Sequence, residues 1–189
     1  MQFLVVLAAL FVAASGQIVS NGQCGNVTVQ DKFDIPSYGG VWYEIYRYGS
    51  EFQPDGDCVT ANYTLNEYGN VTVINRMVVR GVAFTIQGTA APADPQSDEG
   101  KLLVNFPTAA NNFSDYWVLS TDYKGYSLVY ACNNLPNNNK RVSSWVLSRT
   151  TTLSPQSVVS MEPSIESTSG LSWDNYRQTS HSTESCKLA

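Results

Sequence analysis

Histidine is almost absent from this chain. His181 is the one copy, and it sits in a polar stretch, RQTSHSTESC, that reads as a solvated tail. A Ser–His–Asp triad needs a positioned imidazole, so the sequence speaks against that chemistry. It speaks equally against a zinc site, which wants several His or Cys ligands, and against a haem held by a His on a strand. Carboxylates such as Glu44, Asp115 and Asp122 show no pairing that suggests acid–base work, so the chain reads as a non-enzyme without a metal. Positive charge is also scarce. Lys and Arg total 11 against 16 Asp and Glu, a formal net charge of −5, which disfavours a nucleic-acid partner. Past the N-terminus no apolar run approaches the roughly 18 residues of a membrane span. The C-terminal SCKLA lacks the hydrophobic tail of a lipid-anchor signal.

The N-terminal apolar run, Phe3 to Ala14, is too short to span a bilayer and reads as a secretory signal. Ala14 and Gly16 occupy the −3 and −1 positions of a cleavage before Gln17, although the segment before the run carries no Lys or Arg. The expectation is a signal peptide over 1–16 and a single secreted, extracellular domain over 17–189. Four cysteines, Cys24, Cys58, Cys132 and Cys186, suit two disulfides, with three connectivities open on spacing alone. Glycosylation sequons occur at Asn26, Asn62, Asn70 and Asn112.

Strand-like runs recur every ten to fifteen residues, at 41–48, 58–65, 71–79, 82–90, 101–106, 115–121, 126–132 and 143–149. Turn signals separate them: Pro54-Asp55-Gly56-Asp57, Glu67-Tyr68-Gly69-Asn70, Arg80-Gly81, Asp98-Glu99-Gly100, Lys124-Gly125 and Asn137-Asn138-Asn139. Short connections predict an antiparallel meander. In 71–79 one parity carries Val71, Val73, Asn75, Met77 and Val79, and the other Thr72, Ile74, Arg76 and Val78. One apolar and one wetter face describe a sheet that can close into a barrel. On the residues alone, the reading ends at a β-barrel or sandwich. Ser154 before Pro155 predicts a helix start, and Pro163 predicts that the helix is short or broken. Residues 171–176 read as extended.

Three motifs then narrow the choice. Gly40-Val41-Trp42-Tyr43-Glu44-Ile45, Ser120-Thr121-Asp122-Tyr123 and Trp145-Val146-Leu147-Ser148-Arg149 occur in order, and this set resembles the three signatures of the lipocalins. FDIPSYGGVWYEI, WVLSTDY, WVLSR and the placement of the cysteines resemble the branch that holds the insect bilin-binding, insecticyanin-like proteins and apolipoprotein D. The resemblance implies an all-β fold, an eight-stranded up-and-down antiparallel barrel with a short C-terminal helix. It implies that Gly40, Trp42, Thr121, Asp122 and Arg149 are structural, with Trp42 plugging the closed end and Arg149 across its indole. It also implies the pairs Cys24–Cys132 and Cys58–Cys186. No thiol would then remain for thioether attachment of a tetrapyrrole or for a thiol-dependent enzyme of this fold.

The same resemblance implies a cup lined by Asn75, Met77, Phe84, Ile86, Val104, Phe106, Tyr116, Val118, Ala131 and Trp145. For any one of them an ordinary packed core is an equally good account. Asn75, in an otherwise apolar row, needs a hydrogen-bond partner that a ligand, Tyr116 or water could supply. The implied function is secreted carriage of a small hydrophobic ligand, with biliverdin or a related bilin, held non-covalently, as the first expectation. Ala131, Asn133 and Ser143 stand where that branch places aromatic or basic pocket residues, and Arg47, Arg76, Arg80 and Arg141 are weak partners for bilin propionates. An apolipoprotein-D-like carrier of lipids or retinoids is the alternative, and a protein-interaction or inhibitory role is the alternative of another class. Oligomeric state is open.

Overall fold

Alternation of apolar and polar residues decides the architecture, because a sheet with one greasy face must bury it. The computed structural model describes residues 18–48, 56–67, 70–107 and 113–189. The expected signal segment, the Asn112 sequon and the turn residues Pro54, Asp55, Tyr68 and Gly69 lie outside them.

Strand β1 is Ile18–Asn21 and a one-turn helix α1 is Ile35–Tyr38. Eight barrel strands follow: β2 (Gly40–Arg47), β3 (Asp57–Leu65), β4 (Val71–Val79), β5 (Val82–Pro92), β6 (Lys101–Asn105), β7 (Ser114–Thr121), β8 (Tyr126–Leu135) and β9 (Asn139–Ser148). Each pairs antiparallel with the next, and β2 also pairs with β9, which closes the ring. Closure leaves no unpaired edge within the eight strands. Helix α2 (Pro155–Ser167) packs on the outside, and a short β10 (Arg177–Gln178) pairs with the outer end of β2.

Several boundaries differ from the sequence expectation. The last hairpin is longer, since β8 reaches Leu135 and β9 begins at Asn139, leaving a tight turn with Asn137 and Asn138 at positive φ. Asparagine tolerates that backbone better than most residues, so the Asn-rich stretch is turn chemistry. Segment 171–176 is not extended throughout, because Trp173–Asn175 form a 3-10 turn. Helix α2 is not broken at Pro163 and runs on to Ser167. Pro163 lies on the solvent side, as does Val159 at 64% exposure, so the carbonyl that loses its proline-side donor is next to water. Ser154 caps the start, its Oγ accepting from Ser157 N at 3.0 Å.

Two apolar clusters hold the molecule. One fills the closed end inside the barrel and includes Phe33, Tyr38, Trp42, Leu102, Val118, Val129 and Leu147. The other lies between the outer face of β8–β9 and helix α2, with Leu128, Tyr130, Val142, Val146, Met161 and Ile165. Trp42 is fully buried, and its Nε1 donates to Tyr38 O at 2.9 Å. The Arg149 guanidinium lies 3.7 Å over the indole and donates to the carbonyls of Val41, Tyr123, Ser37 and Tyr38. Asp122 Oδ1 gathers three backbone N–H groups, of Lys124, Gly125 and Tyr126, at 2.7–3.1 Å, closing the turn after β7. Burial alone would raise this carboxyl, but those bonds outweigh it and hold it below its usual range.

Disulfides Cys24–Cys132 and Cys58–Cys186 use all four cysteines. They tie the N-terminal segment to β8 and the C-terminal tail to the start of β3, across 108 and 128 residues. Replacing Cys58 and Cys186 together by Ser is expected to lower unfolding free energy by about 2–5 kcal/mol, read by denaturant titration. A change under about 0.5 kcal/mol would contradict a bracing role. Arg149→Met should cost about 2 kcal/mol, through the lost cation–π contact and four carbonyls without their donor.

Candidate functional site

Above the packed floor the barrel is hollow. A cavity of about 440 Å³ lies between the floor and the end formed by the β4–β5 and β8–β9 hairpins. Its wall includes Val73, Asn75 and Met77 from β4, Phe84 and Ile86 from β5, and Val104 from β6 with Phe106 just beyond it. Ser114 and Tyr116 come from β7, Ala131 and Asn133 from β8, and Ser143, Trp145 and Leu147 from β9. Strand parity explains the set, since residues two apart face the same side of the sheet. Gly88 on β5 has a specific reason to lack a side chain: a Cβ there would meet the Phe106 ring at 2.5 Å. The missing Cβ lets that ring lie across β5.

The sequence expectation named ten contact residues, and the structure brings nine of them to this wall. Val118 does not reach it. It has the parity of Tyr116 but lies one step nearer the floor, opposite Val129 and fully buried. Asn75 Oδ1 is buried and has no hydrogen-bond partner among the described residues.

Besides Arg76, Thr85, Asp115 and Leu147, the wall holds four more residues absent from that expectation: Glu44, Val59, Ala61 and Tyr63. Their signal was parity on β2 and β3, where Glu44 follows Trp42 by two and Val59, Ala61 and Tyr63 alternate.

Two polar groups distinguish this wall. The first is a set of phenols at the cavity base. Tyr63 donates to Tyr116 Oη at 2.8 Å, Tyr116 and Tyr38 hydroxyls are 3.0 Å apart, and Tyr38 meets Ser127 Oγ at 2.8 Å. Every member has a partner, so burying them is tolerable. Burial pushes the Tyr38 phenol up to about 12, and it pushes Tyr63 and Tyr116 upward as well, with neighbouring phenols adding to the rise.

The second is a buried ion pair. Glu44 is 3% exposed and Arg47 is fully buried, with Arg47 Nη1 donating to Glu44 Oε1 at 2.5 Å. Thr179 Oγ1 donates to the same oxygen at 2.6 Å, and Arg47 Nη2 donates to Gly56 O at 2.7 Å. Burial raises the Glu44 carboxyl, while the Arg47 charge and the Thr179 hydrogen bond pull it back. On a regular strand Arg47 would share the outward parity of Val41 and Tyr43. A bulge between Glu44 and Tyr46 inserts Ile45 against β9 and reverses the parity, turning Arg47 inward. It therefore serves Glu44 and is withdrawn from the rim, whereas Arg76 and Arg80 remain exposed. His181 is half-buried rather than solvated, its Nε2 2.8 Å from Glu44 O and its ring edge-on to Tyr43.

Residues 33–179 match the family model described as a lipocalin-like domain. The chain is a lipocalin. Among curated relatives, apolipoprotein D of Bos taurus is 40% identical over 157 residues, covering 80% of this chain and 79% of that protein. The Lazarillo protein of Schistocerca americana is 32% identical over 184 residues, covering 95% of this lipocalin and 84% of the relative. The solved structure of insecticyanin from Manduca sexta superposes with a TM-score of 0.82 at 26% identity, over 92% of this lipocalin and 94% of that chain. Lipocalins are carriers of small hydrophobic molecules, and the hollow above Trp42 is where this one has room for a guest.

The phenol base gives a test. A group whose folded pKa lies above its unfolded value contributes stability in full below the unfolded value, and loses it as pH rises through the folded one. Unfolding free energy should therefore fall from about pH 10 upward. The share contributed by Tyr38 is lost by about 12, where it titrates in the fold. Tyr63→Phe should flatten that slope. Ordinary titration of every tyrosine in the folded protein, followed by ultraviolet absorbance, would refute a sealed base.

Proposed function

We propose that this lipocalin is a secreted, extracellular carrier that holds one elongated or flat hydrophobic molecule of the retinoid, fatty-acid or sterol class, in the manner of an apolipoprotein-D-like transporter. The observation that carries the reading is the cavity of about 440 Å³, apolar over most of its wall and closed below by the phenol base and Trp42. That volume falls within the range of small-molecule pockets. Export is supported by the two disulfides and by the sequons at Asn26 and Asn70, both exposed. Asn62 is half-buried on the outer face of β3. The carrier acts by solubilising its guest, and no catalytic step is proposed.

A linear tetrapyrrole is the second reading. It is favoured by the buried Asn75 Oδ1, which lacks a donor among the described residues and could accept from a pyrrole or lactam N–H. The likeness to Manduca sexta insecticyanin supports it too. Against it stands Arg47, which is committed to Glu44 and not offered to a propionate.

Trp145 on the wall makes binding readable. Titration with retinol or arachidonate is expected to quench tryptophan emission saturably at one equivalent. Ala131→Trp, placing bulk in the hollow, should weaken that binding more than about tenfold with the fold intact. Quenching that is not saturable would end the carrier reading. Biliverdin is tested in parallel: Asn75→Leu should weaken its binding several-fold, in keeping with one lost neutral hydrogen bond. An unchanged affinity and visible spectrum would remove Asn75 from the site.

A further inference from the structure

The cavity wall contains an acid whose two oxygens are unequal. Glu44 Oε1 accepts from both Arg47 Nη1 and Thr179 Oγ1. Oε2 accepts from no protein donor among the described residues, yet it is not among the polar atoms that the protein seals off. Glu44 lines the hollow while only 3% of it is exposed. Its accessible remnant therefore faces the cavity. Arg47 Nη1 and Thr179 Oγ1 both donate to Oε1, so the carboxylate is held in place from that side.

An acceptor in a largely apolar chamber is a strong discriminator. It gains from a donor on the guest, and it loses its solvation when an apolar or acceptor-only guest displaces water from it. The wall holds other polar side chains, Asp115, Arg76 and Asn133 among them, so selection by Glu44 is read from its own substitution. Tyr63 and Tyr116 are already bonded to one another, and Asn75 stands on a different strand.

We propose that Glu44 Oε2 is a polar anchor of the cavity and selects hydrophobic ligands whose buried end bears a hydroxyl or ring N–H over the same skeleton without that donor. The anchor deepens the carrier reading and rests on it. It disfavours a guest whose carboxylate enters first, because two anions would meet in a poorly solvated space. A fatty acid would therefore sit with its head at the mouth. A hydroxyl or a pyrrolic nitrogen enters head-first.

The test uses the full oxidised protein and three probes on one skeleton: all-trans-retinol, its methyl ether and retinal. Dissociation constants come from tryptophan quenching. The wild type is expected to bind retinol about tenfold tighter than the ether or the aldehyde, as one charge-assisted hydrogen bond would give. In Glu44→Gln the amide oxygen can still accept from Arg47 and Thr179, while an N–H₂ donor replaces Oε2. The preference should collapse or turn towards retinal. Because that substitution leaves Arg47 without a counter-ion, the double variant Glu44→Gln, Arg47→Met is measured beside it, with thermal melting to establish folding. Collapse of the preference in a folded variant supports the anchor. Equal wild-type binding of alcohol and ether overturns the anchor and leaves the carrier reading intact. A preference that survives in a folded variant also overturns it. Failure of all three probes to bind overturns the anchor together with retinoid carriage.

Discussion

The pairing of β2 with β9 is the constraint on which this molecule depends. Tyr43 faces Ser148 and Glu44 faces Leu147 across that seam, while β2 holds β3 on its other side. Without the seam the eight strands would be an open sheet with two long edges, and a closed ring removes that liability. The seam also builds the floor. It delivers Trp42 to the interior at one end of β2 and places Arg149, one residue past β9, over the indole. The guanidinium then ties α1, the start of β2 and the turn after β7 by their carbonyls. Because the floor is packed and the side chains above it do not fill the tube, the remaining space is a cup.

The cup is not uniformly greasy, and its polar groups differ in how completely they are satisfied. The phenols at its base bond to one another and to Ser127, so they form a network in which each hydroxyl has a partner. Glu44 and Asn75 are unfinished among the described residues: Glu44 Oε2 meets the cavity without a protein donor, and Asn75 Oδ1 is buried without one. A buried acceptor without a donor costs about 1–3 kcal/mol. A guest bearing donors would relieve that cost. The division between finished and unfinished groups separates what holds the barrel shut from what is left for a ligand.

Much of this was legible in the residues, for reasons that can be stated strand by strand. A side-chain period of two shows which face a residue takes, so the alternation in VTVINRMVV put Val73, Asn75 and Met77 on one side, as found. Parity carries no information on depth, which is why Val118, with the same facing as Tyr116, was expected in the cup and lies in the floor. A bulge breaks parity altogether, and nothing in GVWYEIYR announces one, so the inward turn of Arg47 could not be foreseen. Proline was read as a helix breaker at position 163 because the rule ignores which side of the helix meets water. His181 was read from its polar neighbours, but its contact is with a backbone carbonyl 137 residues away.

The C-terminal tail shows why such long-range contacts matter for the cup. β10 lies on the outer end of β2, Thr179 N donates to Ile45 O at 2.9 Å, and Cys58 N donates to Ser180 O at 2.8 Å. The Cys58–Cys186 bond then anchors the tail to β3, and Ala189 N reaches Gly81 O on the β4–β5 hairpin at 3.0 Å. Along this path the tail inserts Thr179 Oγ1 against Glu44 at the bulge in the β2–β9 seam. A regular strand could not bring Arg47 to that carboxylate beside a second donor, since its side chains alternate away from each other. The bulge brings the cation in, and the tail supplies the hydroxyl. A charged group in the wall of an apolar cup is therefore the joint product of an irregular strand and a segment from the far end of the chain. The Cys58–Cys186 bond ties that segment to β3.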